Sequence, residues 1–425
     1  MSIIRKISRS FFSAKYLGFI QGHNYLDQHS LGQIKELIGK TDSPIRDDFE
    51  NNFASYVGKG RAVSFAAARM GFYSLMKVLN IGKGDEVIIQ GHTCSVMPNA
   101  IFRIGAKPVY ADIDHNTFGS SASKIKNLIS SKTKMIIAQH SFGIPCNIEP
   151  IVKLAKAKEI FLLEDCAITF DSKINNVEVG NFGDASLFSF DHSKPINTLI
   201  GGIIYTRNNQ IYNLIKDLQN NSEELSYKKQ ISIWKQIIFE RNYYNSQKYG
   251  RSFIINKINK ALFHRKNPFF TDDNSKSVFS NYPYPAKMPI FLTKLGLYEL
   301  ERWKFEKKRR QNLLIQFLDF FKLNGLDDFL PSSYYNSKLE IIPLRFVYTH
   351  PYADKIKKKL SSYLDINWFW FQMPIIECTN PSDLDYLNGS CPISEKVCKE
   401  IINIPCVQND FDTNYLFNVI KKAHL

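Results

Sequence analysis

The most regular feature of this 425-residue chain is an alternation, from residue 60 to residue 206, between short apolar runs and longer stretches with helical spacing. The apolar runs are rich in β-branched residues and predict strands at 87–90, 108–112, 135–139, 161–164, 185–190 and 202–206. Several are apolar at consecutive positions, as expected of strands covered by helices on both faces. The pattern therefore predicts an α/β domain with a mostly parallel central sheet.

The stretches between these runs have the apolar recurrence of helices, at 66–79, 95–102, 122–128 and 149–157. After residue 207 the alternation stops, and an aromatic, lysine- and asparagine-rich stretch continues to the prolines near 283–289. Helical spacing returns at 291–321, followed by a predicted strand at 341–347 and a helix at 393–401. We therefore predict four parts: a basic N-terminal arm at 1–26, a large α/β domain at 27–209, an insertion at 210–282 and a smaller C-terminal α+β domain at 283–425.

The formal net charge of +15 is concentrated in two segments. Residues 1–26 carry a net +4 and residues 226–270 a net +9, so the rest of the chain is nearly neutral. Such segments suit a solvated face or, because apolar stripes accompany the lysines, the surface of an anionic membrane. No helix-turn-helix, zinc-finger or stacking-sheet signature accompanies the charge, so we expect no nucleic-acid partner.

The seven cysteines are odd in number and show no Cys-x-x-Cys spacing, which favours a reducing compartment and gives no indication of a metal site. No run of 18 apolar residues is present, so a membrane-spanning helix is not expected. We expect a cytoplasmic protein, with peripheral contact to the inner face of the membrane as an option for its basic segments.

Polar residues at the ends of the predicted strands are the candidates for chemistry, because ligands bind beyond the carboxyl ends of parallel strands. Asp165 directly follows one strand, and Lys194 lies in the loop after another. Ala68 and Arg69 lie at the start of a helix, where backbone N–H groups can bind an anion. Taken singly, each has an ordinary alternative: a helix cap, a solvated lysine and a tightly packed helix start.

Taken together, an acid, a lysine and an anion site at one sheet edge suit pyridoxal phosphate. This cofactor needs a lysine amine for its Schiff base, a carboxylate beside its pyridine nitrogen and a site for its phosphate.

The order of the motifs resembles the DegT/StrS family of pyridoxal-phosphate sugar aminotransferases, which have the fold-type-I scaffold. The resemblance is close over about 45–206 and resumes at 287–302. The segments that carry it are Gly82–Val87, Gly105–Val109, Asp112–Asp114, His140–Pro145, Glu164–Ala167, Val179–Ala185 and Phe188–Phe190 with Lys194. These motifs are individually weak, but their order is specific.

The resemblance implies roles for three residues. Lys194 would form the Schiff base and move protons, Asp165 would contact the pyridine nitrogen, and Ser189 would bind the phosphate. Relatives that dehydrate sugars have a histidine at the position of Lys194, so the lysine favours amino transfer.

Several positions depart from the family pattern. Ala68 and Arg69 occupy the positions of a phosphate-binding Gly-Thr pair, and the arginine could supply charge there. Cys94 replaces an aromatic ring that usually stacks on the cofactor, with His92 as a possible substitute. Two further departures are Ile168, in place of glutamine or histidine, and Pro285, in place of an asparagine that often reaches the partner subunit's phosphate.

The resemblance implies transfer of an amino group from an amino acid, typically L-glutamate, to a nucleotide-linked keto-sugar. Such reactions serve amino-sugar, lipopolysaccharide and other polysaccharide biosynthesis, and the enzymes are usually homodimers. Two alternatives stay open: a non-catalytic or regulatory protein of the same fold, and a dehydratase-type relative.

Overall fold

The computed structural model describes residues 16–252, 255, 258, 269–270, 282–366, 371–406 and 413–425. Its centre is a seven-stranded sheet in the order β1-β10-β9-β6-β5-β2-β4. These strands are β1 (Arg61–Phe65), β2 (Glu86–Gln90), β4 (Lys107–Ala111), β5 (Thr133–Gln139), β6 (Phe161–Asp165), β9 (Ala185–Ser189) and β10 (Gly202–Thr206). Only β10 runs against its two neighbours, so the predicted mostly parallel sheet is confirmed.

Helices cover both faces of this sheet. The covering and flanking helices are α1 (Gln28–Lys35), α2 (Ile45–Val57), α3 (Ala68–Val78), α4 (Val96–Arg103), α5 (Ala122–Lys126) and α6 (Ile148–Ala157). Successive side chains of a strand point to opposite faces, and here both directions are buried. In β2, Val87 and Ile89 belong to one apolar cluster and Ile88 to another. This two-sided burial explains why the strands are apolar at consecutive positions.

Short strands lie outside the main sheet. They are β3 (Thr93–Cys94), β7 (Lys173–Ile174), β8 (Val177–Glu178), β11 (Leu339–Glu340) and β13 (Ile375–Ile376). β11, β7 and β8 form a small sheet, and β13 pairs in parallel with β3. β11 and β13 come from the C-terminal part of the chain, and they pair with β7 and β3, which lie in connections between strands of the main sheet.

The C-terminal region packs around its own apolar cluster. It contains the antiparallel pair β12 (Arg345–Thr349) and β14 (Ile401–Pro405), with helices α10 (Ala353–Leu360), α11 (Pro392–Glu400) and α12 (Thr413–His424). The 34-residue helix α9 (Ile290–Leu323) joins it to the sheet, because Leu295 packs in the sheet's cluster and Phe317 in the C-terminal one. Short 3₁₀ turns occur at Asp327–Phe329, Ser332–Tyr335 and Pro381–Leu384.

The predicted insertion begins as two helices, α7 (Asn209–Asn220) and α8 (Tyr227–Tyr243), that pack against the sheet. Ile215 of α7 and Ile233 and Ile237 of α8 are fully buried in the same cluster as the strands. The apolar stripe of α8 is thus used inside the protein and is not exposed for membrane contact. The four-part division of the chain stays a prediction, and residues 1–15 and most of 253–281 lie outside the described residues.

All seven cysteines are free thiols in the structure. Among the described residues, no helix combines the length and the apolar character that crossing a bilayer requires.

Candidate active site

The loop that carries Lys194 connects β9 to β10 at the carboxyl end of β9. Phe190 N donates to Gly201 O (2.9 Å), and Thr198 N donates to Phe190 O (2.9 Å), so the ends of the loop are tied together. Lys194 N donates to Asp191 O (2.9 Å), which makes a tight turn at the lysine. The backbone therefore holds Lys194 in a defined place.

Burial and the neighbouring acidic groups have opposite effects on the pKa of Lys194. Burial lowers the pKa of its amine, while Asp191, Cys94, Glu377 and Asp165 raise it to a smaller extent. The net direction is downward, which increases the neutral fraction of the amine. A neutral amine is the form that can attack a carbonyl or accept a proton. Asp165 is close enough to affect the pKa of Lys194, and the strands that precede the two residues, β6 and β9, are parallel neighbours. The two residues therefore lie at one edge of the sheet.

Asp165 is the last residue of β6 and is only 4% exposed. Burial raises the pKa of its carboxyl, and an N–H from Ala167 (2.9 Å), Lys194 and His140 offset this in part. A buried carboxylate with incomplete compensation is stabilised by a cationic partner. A protonated pyridine nitrogen would be such a partner.

The start of α3 offers an anion site beside the same edge. Ala67, its N-cap, has no side chain that caps the N–H groups of the first turn, and such groups at a helix start attract anions. The buried guanidinium of Arg69 lowers the pKa of Asp191, which places it near the lysine loop. Ser189, half-buried at the end of β9, adds a hydroxyl. This donor set fits a phosphate.

The side chains of Cys94 and His92 have different surroundings in the structure. The Cys94 thiol lies near Lys194 and donates to Glu377 Oε2 (3.2 Å). The His92 ring is fully buried against Phe371, with ring centroids 4.1 Å apart, and burial lowers its pKa to about 4. This packing gives His92 a core role and does not support it as a substitute for the stacking ring.

Asp191 and His192 form an ion pair directly before Lys194. Asp191 Oδ1 lies 2.6 Å from His192 Nδ1. Burial lowers the pKa of His192, but Asp191 and then Glu240 outweigh it and raise the pKa to about 9. The His192 ring also packs on Phe269, with centroids 4.8 Å apart. Helix α8 and the insertion therefore contribute to the surroundings of the site.

A buried network lies behind the lysine loop. Arg302 Nη2 donates to Pro195 O (2.9 Å) and to Glu299 Oε2 (2.8 Å). Asn197 N donates to Glu299 Oε2 (3.0 Å), and Asn197 Nδ2 donates to Gln21 O (3.0 Å). Helix α9 and the N-terminal segment thus hold the part of the loop that directly follows Lys194. Sequence reasoning missed this network because its members lie far apart along the chain.

The other two departures from the family pattern have different surroundings. Ile168 is buried in the cluster of the C-terminal region. The segment around Pro285 packs on its own chain, since Ala66 N donates to Ala286 O (2.9 Å) and Tyr284 Oη donates to Arg69 O (3.3 Å). A contact of this segment with a partner subunit stays a prediction.

Three buried side chains close to the site, His140, Glu164 and Cys166, could by their spacing hold a metal ion. The Glu164 carboxylate, however, accepts N–H groups from Phe182 (2.6 Å) and Gly183 (2.7 Å) and lies 3.1 Å from His140 Nε2. Because these donors already use the carboxylate's lone pairs, we infer that Glu164 stabilises the loop that contains Phe182 and Gly183 and does not bind a metal ion.

The fold and this edge define a class of protein: a fold-type-I enzyme of the pyridoxal-phosphate group, with donors that fit the cofactor's ring nitrogen, carbonyl and phosphate. Residues 39–423 match the model of the DegT/DnrJ/EryC1/StrS aminotransferase family. The chain belongs to this family, so the resemblance found in the sequence is confirmed.

Two relatives have nucleotide-linked amino sugars in their names. The chain is 40% identical over 164 residues to the GDP-perosamine synthase of Escherichia coli O157:H7, covering 39% of this chain and 45% of that protein. It is 32% identical over 231 residues to the dTDP-3-amino-3,6-dideoxy-alpha-D-galactopyranose transaminase of Aneurinibacillus thermoaerophilus, covering 54% and 59%. These matches span about half the length of the relatives.

Solved structures share the whole fold at low identity. The aminotransferase TlmJ from Streptoalloteichus hindustanus superposes with a TM-score of 0.69 at 18% identity, covering 97% of this chain and 99% of that one. A DegT DnrJ EryC1 StrS aminotransferase from Brucella abortus gives a TM-score of 0.69 at 16% identity, covering 93% and 94%. These likenesses confirm the fold-type-I architecture.

Proposed function

We propose that this protein is an aminotransferase that uses pyridoxal phosphate to exchange an amino group between an amino acid and a sugar carbonyl. The observation that carries the proposal is the pairing, at one sheet edge, of a half-buried lysine whose pKa is lowered with a buried aspartate whose pKa is raised. When bound, the cofactor supplies an electron sink for the carbon that loses a proton.

Each residue of the edge then has a distinct task. Asp165 would hold a positive charge on the ring nitrogen, and the first-turn N–H groups of α3 with Ser189 and Arg69 would bind the phosphate. Lys194 would bind the cofactor carbonyl and, when free, its amine would accept and donate the proton in transfer. Its lowered pKa favours both tasks, because each needs a neutral amine.

The substrates in this proposal are L-glutamate and a nucleotide-linked keto-sugar, for amino-sugar and polysaccharide biosynthesis. The names of the matched relatives support this choice, since they specify GDP- and dTDP-linked amino sugars. Because amino transfer is reversible, both amino sugars can be supplied to the enzyme as amino donors. GDP-perosamine and dTDP-3-amino-3,6-dideoxy-α-D-galactopyranose form the test panel used below.

Two further parts of the proposal concern assembly and location. A homodimer and a cytoplasmic location are proposed from the family. Contact of the basic segments with an anionic membrane is the weaker proposal, because the apolar stripe of α8 is buried in the protein.

The Lys194→Ala variant tests the assignment of the lysine. Wild-type protein incubated with pyridoxal phosphate and reduced with borohydride should carry the cofactor on the peptide that contains Lys194. The variant should carry none on that peptide, should show no half-reaction with L-glutamate, and should transfer no amino group from the panel sugars to 2-oxoglutarate, the keto acid of L-glutamate. Lys173→Ala, a half-buried lysine on β7, is the matched control and should behave as wild type.

Attachment of the cofactor to another lysine, or turnover by the Lys194→Ala variant, would contradict the proposal. A wild-type protein that takes up the cofactor but converts neither L-glutamate nor the panel would favour the non-catalytic alternative. Loss of water from a keto-sugar without amine formation would favour the dehydratase alternative.

A further inference from the structure

Glu377, which the sequence did not single out, lies at the front of the site at the end of β13. Thr93 N donates to Pro374 O (2.9 Å), and Ser95 N donates to Ile376 O (3.0 Å). Backbone hydrogen bonds therefore fix this C-terminal segment along β3, and they bring Glu377 beside Cys94. The position of the carboxylate is a consequence of strand pairing and not of a mobile loop end.

The backbone of Glu377 has an unfavourable conformation. Its φ is +64°, in the left-handed region that favours glycine and asparagine. A non-glycine residue stays in this region when surrounding contacts determine it, and such residues are often found at ligand sites. Here those contacts are the β3–β13 pairing and the hydrogen bond from the Cys94 thiol to Glu377 Oε2 (3.2 Å).

The carboxylate of Glu377 is close enough to the reacting amine to act on its charge. It raises the pKa of both Lys194 and His192, against the larger lowering by burial. The other two acids that act on Lys194 have partners or tasks: Asp191 is paired with His192, and Asp165 with the ring nitrogen in the proposed function. Glu377 has no such task, and it is exposed to solvent.

An exposed carboxylate beside the reacting amine distinguishes between the two substrates. Its oxygens accept hydrogen bonds from neutral hydroxyl groups, of which a sugar presents several. It repels the carboxylates of an amino acid, and L-glutamate carries two. The site thus favours a hydroxylated, uncharged ring at this point.

We infer that Glu377 binds hydroxyl groups of the sugar substrate and acts as a specificity residue for the sugar half of the reaction. The inference rests on the proposed function, because it assigns one side of the same site to the sugar. It concerns the sugar ring and not the nucleotide.

The test compares two amino donors on the same holoenzyme. Each half-reaction is followed separately in a stopped-flow instrument by the change in the visible absorbance of the bound cofactor. One donor is L-glutamate, and the other is whichever panel amino sugar reacts faster with the wild type. The variant is Glu377→Gln, which keeps the shape and removes the charge. Glu301→Gln, an exposed acid on α9, is the control.

In the Glu377→Gln variant, the half-saturation concentration for the amino sugar should rise about 10- to 100-fold, the size expected for loss of a hydrogen bond to a charged group. The rate and half-saturation concentration for L-glutamate should stay within about twofold or improve. Titration calorimetry of the cofactor-free protein with the same amino sugar should show a dissociation constant weakened by a similar factor.

Two outcomes would overturn the inference: unchanged amino-sugar kinetics in the variant, or an equal loss with both donors. Failure of the proposed function gives a different result, because the wild type itself would then react with neither donor.

Discussion

The lysine loop contacts two groups of charged side chains: a front group that contains Asp165, and a rear group that contains Glu299 and Arg302. The two groups differ in how fully their charges are compensated. In front, burial raises the pKa of Asp165, and its neighbours offset this only in part. Behind, burial also raises the pKa of Glu299, but Arg302 and then His23 outweigh it and lower the pKa to about 2. The charge of Glu299 is compensated within the protein, whereas in the proposed function a cationic ligand would compensate the charge of Asp165.

This difference separates chemistry from positioning. The front residues set the protonation state of Lys194 and present charge to a ligand. The rear residues, Glu299 and Arg302, bond to the backbone of Pro195 and Asn197, just after Lys194 in the loop. Substitutions in front should therefore alter activity more than stability, and substitutions behind should do the reverse.

The largest effect on activity should come from Asp165→Asn. The amide keeps the shape of the side chain but removes the negative charge that would balance a protonated ring nitrogen. With the panel sugars as amino donors and 2-oxoglutarate as the acceptor, we expect kcat/KM to fall on the order of 10²–10³-fold, the size seen when a preorganised electrostatic partner is removed. Steady-state kinetics measure the fall, and denaturant unfolding should show no loss of stability, since a buried charge is removed. A variant that is destabilised but fully active would contradict the statement that the front residues act on activity more than on stability.

The largest effect on stability should come from Arg302→Met. The methionine retains the apolar stem but leaves the buried Glu299 carboxylate without its main partner, which typically costs about 3–5 kcal/mol. Urea unfolding with a fixed denaturant slope measures this loss.

Helix α9 also provides the control for that variant. Lys304 pairs with Glu301 on the same helix, but the two side chains are 52% and 69% exposed. Lys304→Met should therefore leave stability unchanged within error. If Arg302→Met and Lys304→Met behaved alike, the rear network would not be the support that its hydrogen bonds indicate.

The smallest effect is a change in the pH dependence of cofactor uptake in Asp191→Asn. Among its acidic neighbours, Asp191 raises the pKa of Lys194 most, ahead of Cys94, Glu377 and Asp165. Its removal should lower that pKa further, so the neutral fraction of the amine grows at any pH below the pKa. Cofactor-free variant should bind pyridoxal phosphate severalfold faster than wild type near neutral pH, with the difference disappearing at high pH.

Stopped-flow absorbance between about pH 6 and 11 measures this uptake, a range that includes the ordinary pKa of His and Lys. Asp354→Asn, whose side chain is 94% exposed on α10, is the control and should match the wild type. Slower uptake by Asp191→Asn near neutral pH would show that Asp191 helps the lysine by orientation and not through its charge.

The sequence determined the strands, their two-sided burial and the edge at which Asp165 and Lys194 meet. Such features are local: the repeat of apolar residues sets the strand, and a polar residue directly after it must lie at the strand's carboxyl end. Motif order then identified the family, because ordered local motifs survive even where overall identity is low.

Only the tertiary structure decided what surrounds that edge. Glu377 reaches Lys194 through the pairing of β13 with β3, and Arg302 reaches the lysine loop through the packing of α9. The apolar stripe of α8, which suited either a membrane or a core, is buried against the sheet. The first two contacts join residues more than 100 positions apart, and no local repeat encodes any of the three, because they form only when the whole hydrophobic core assembles.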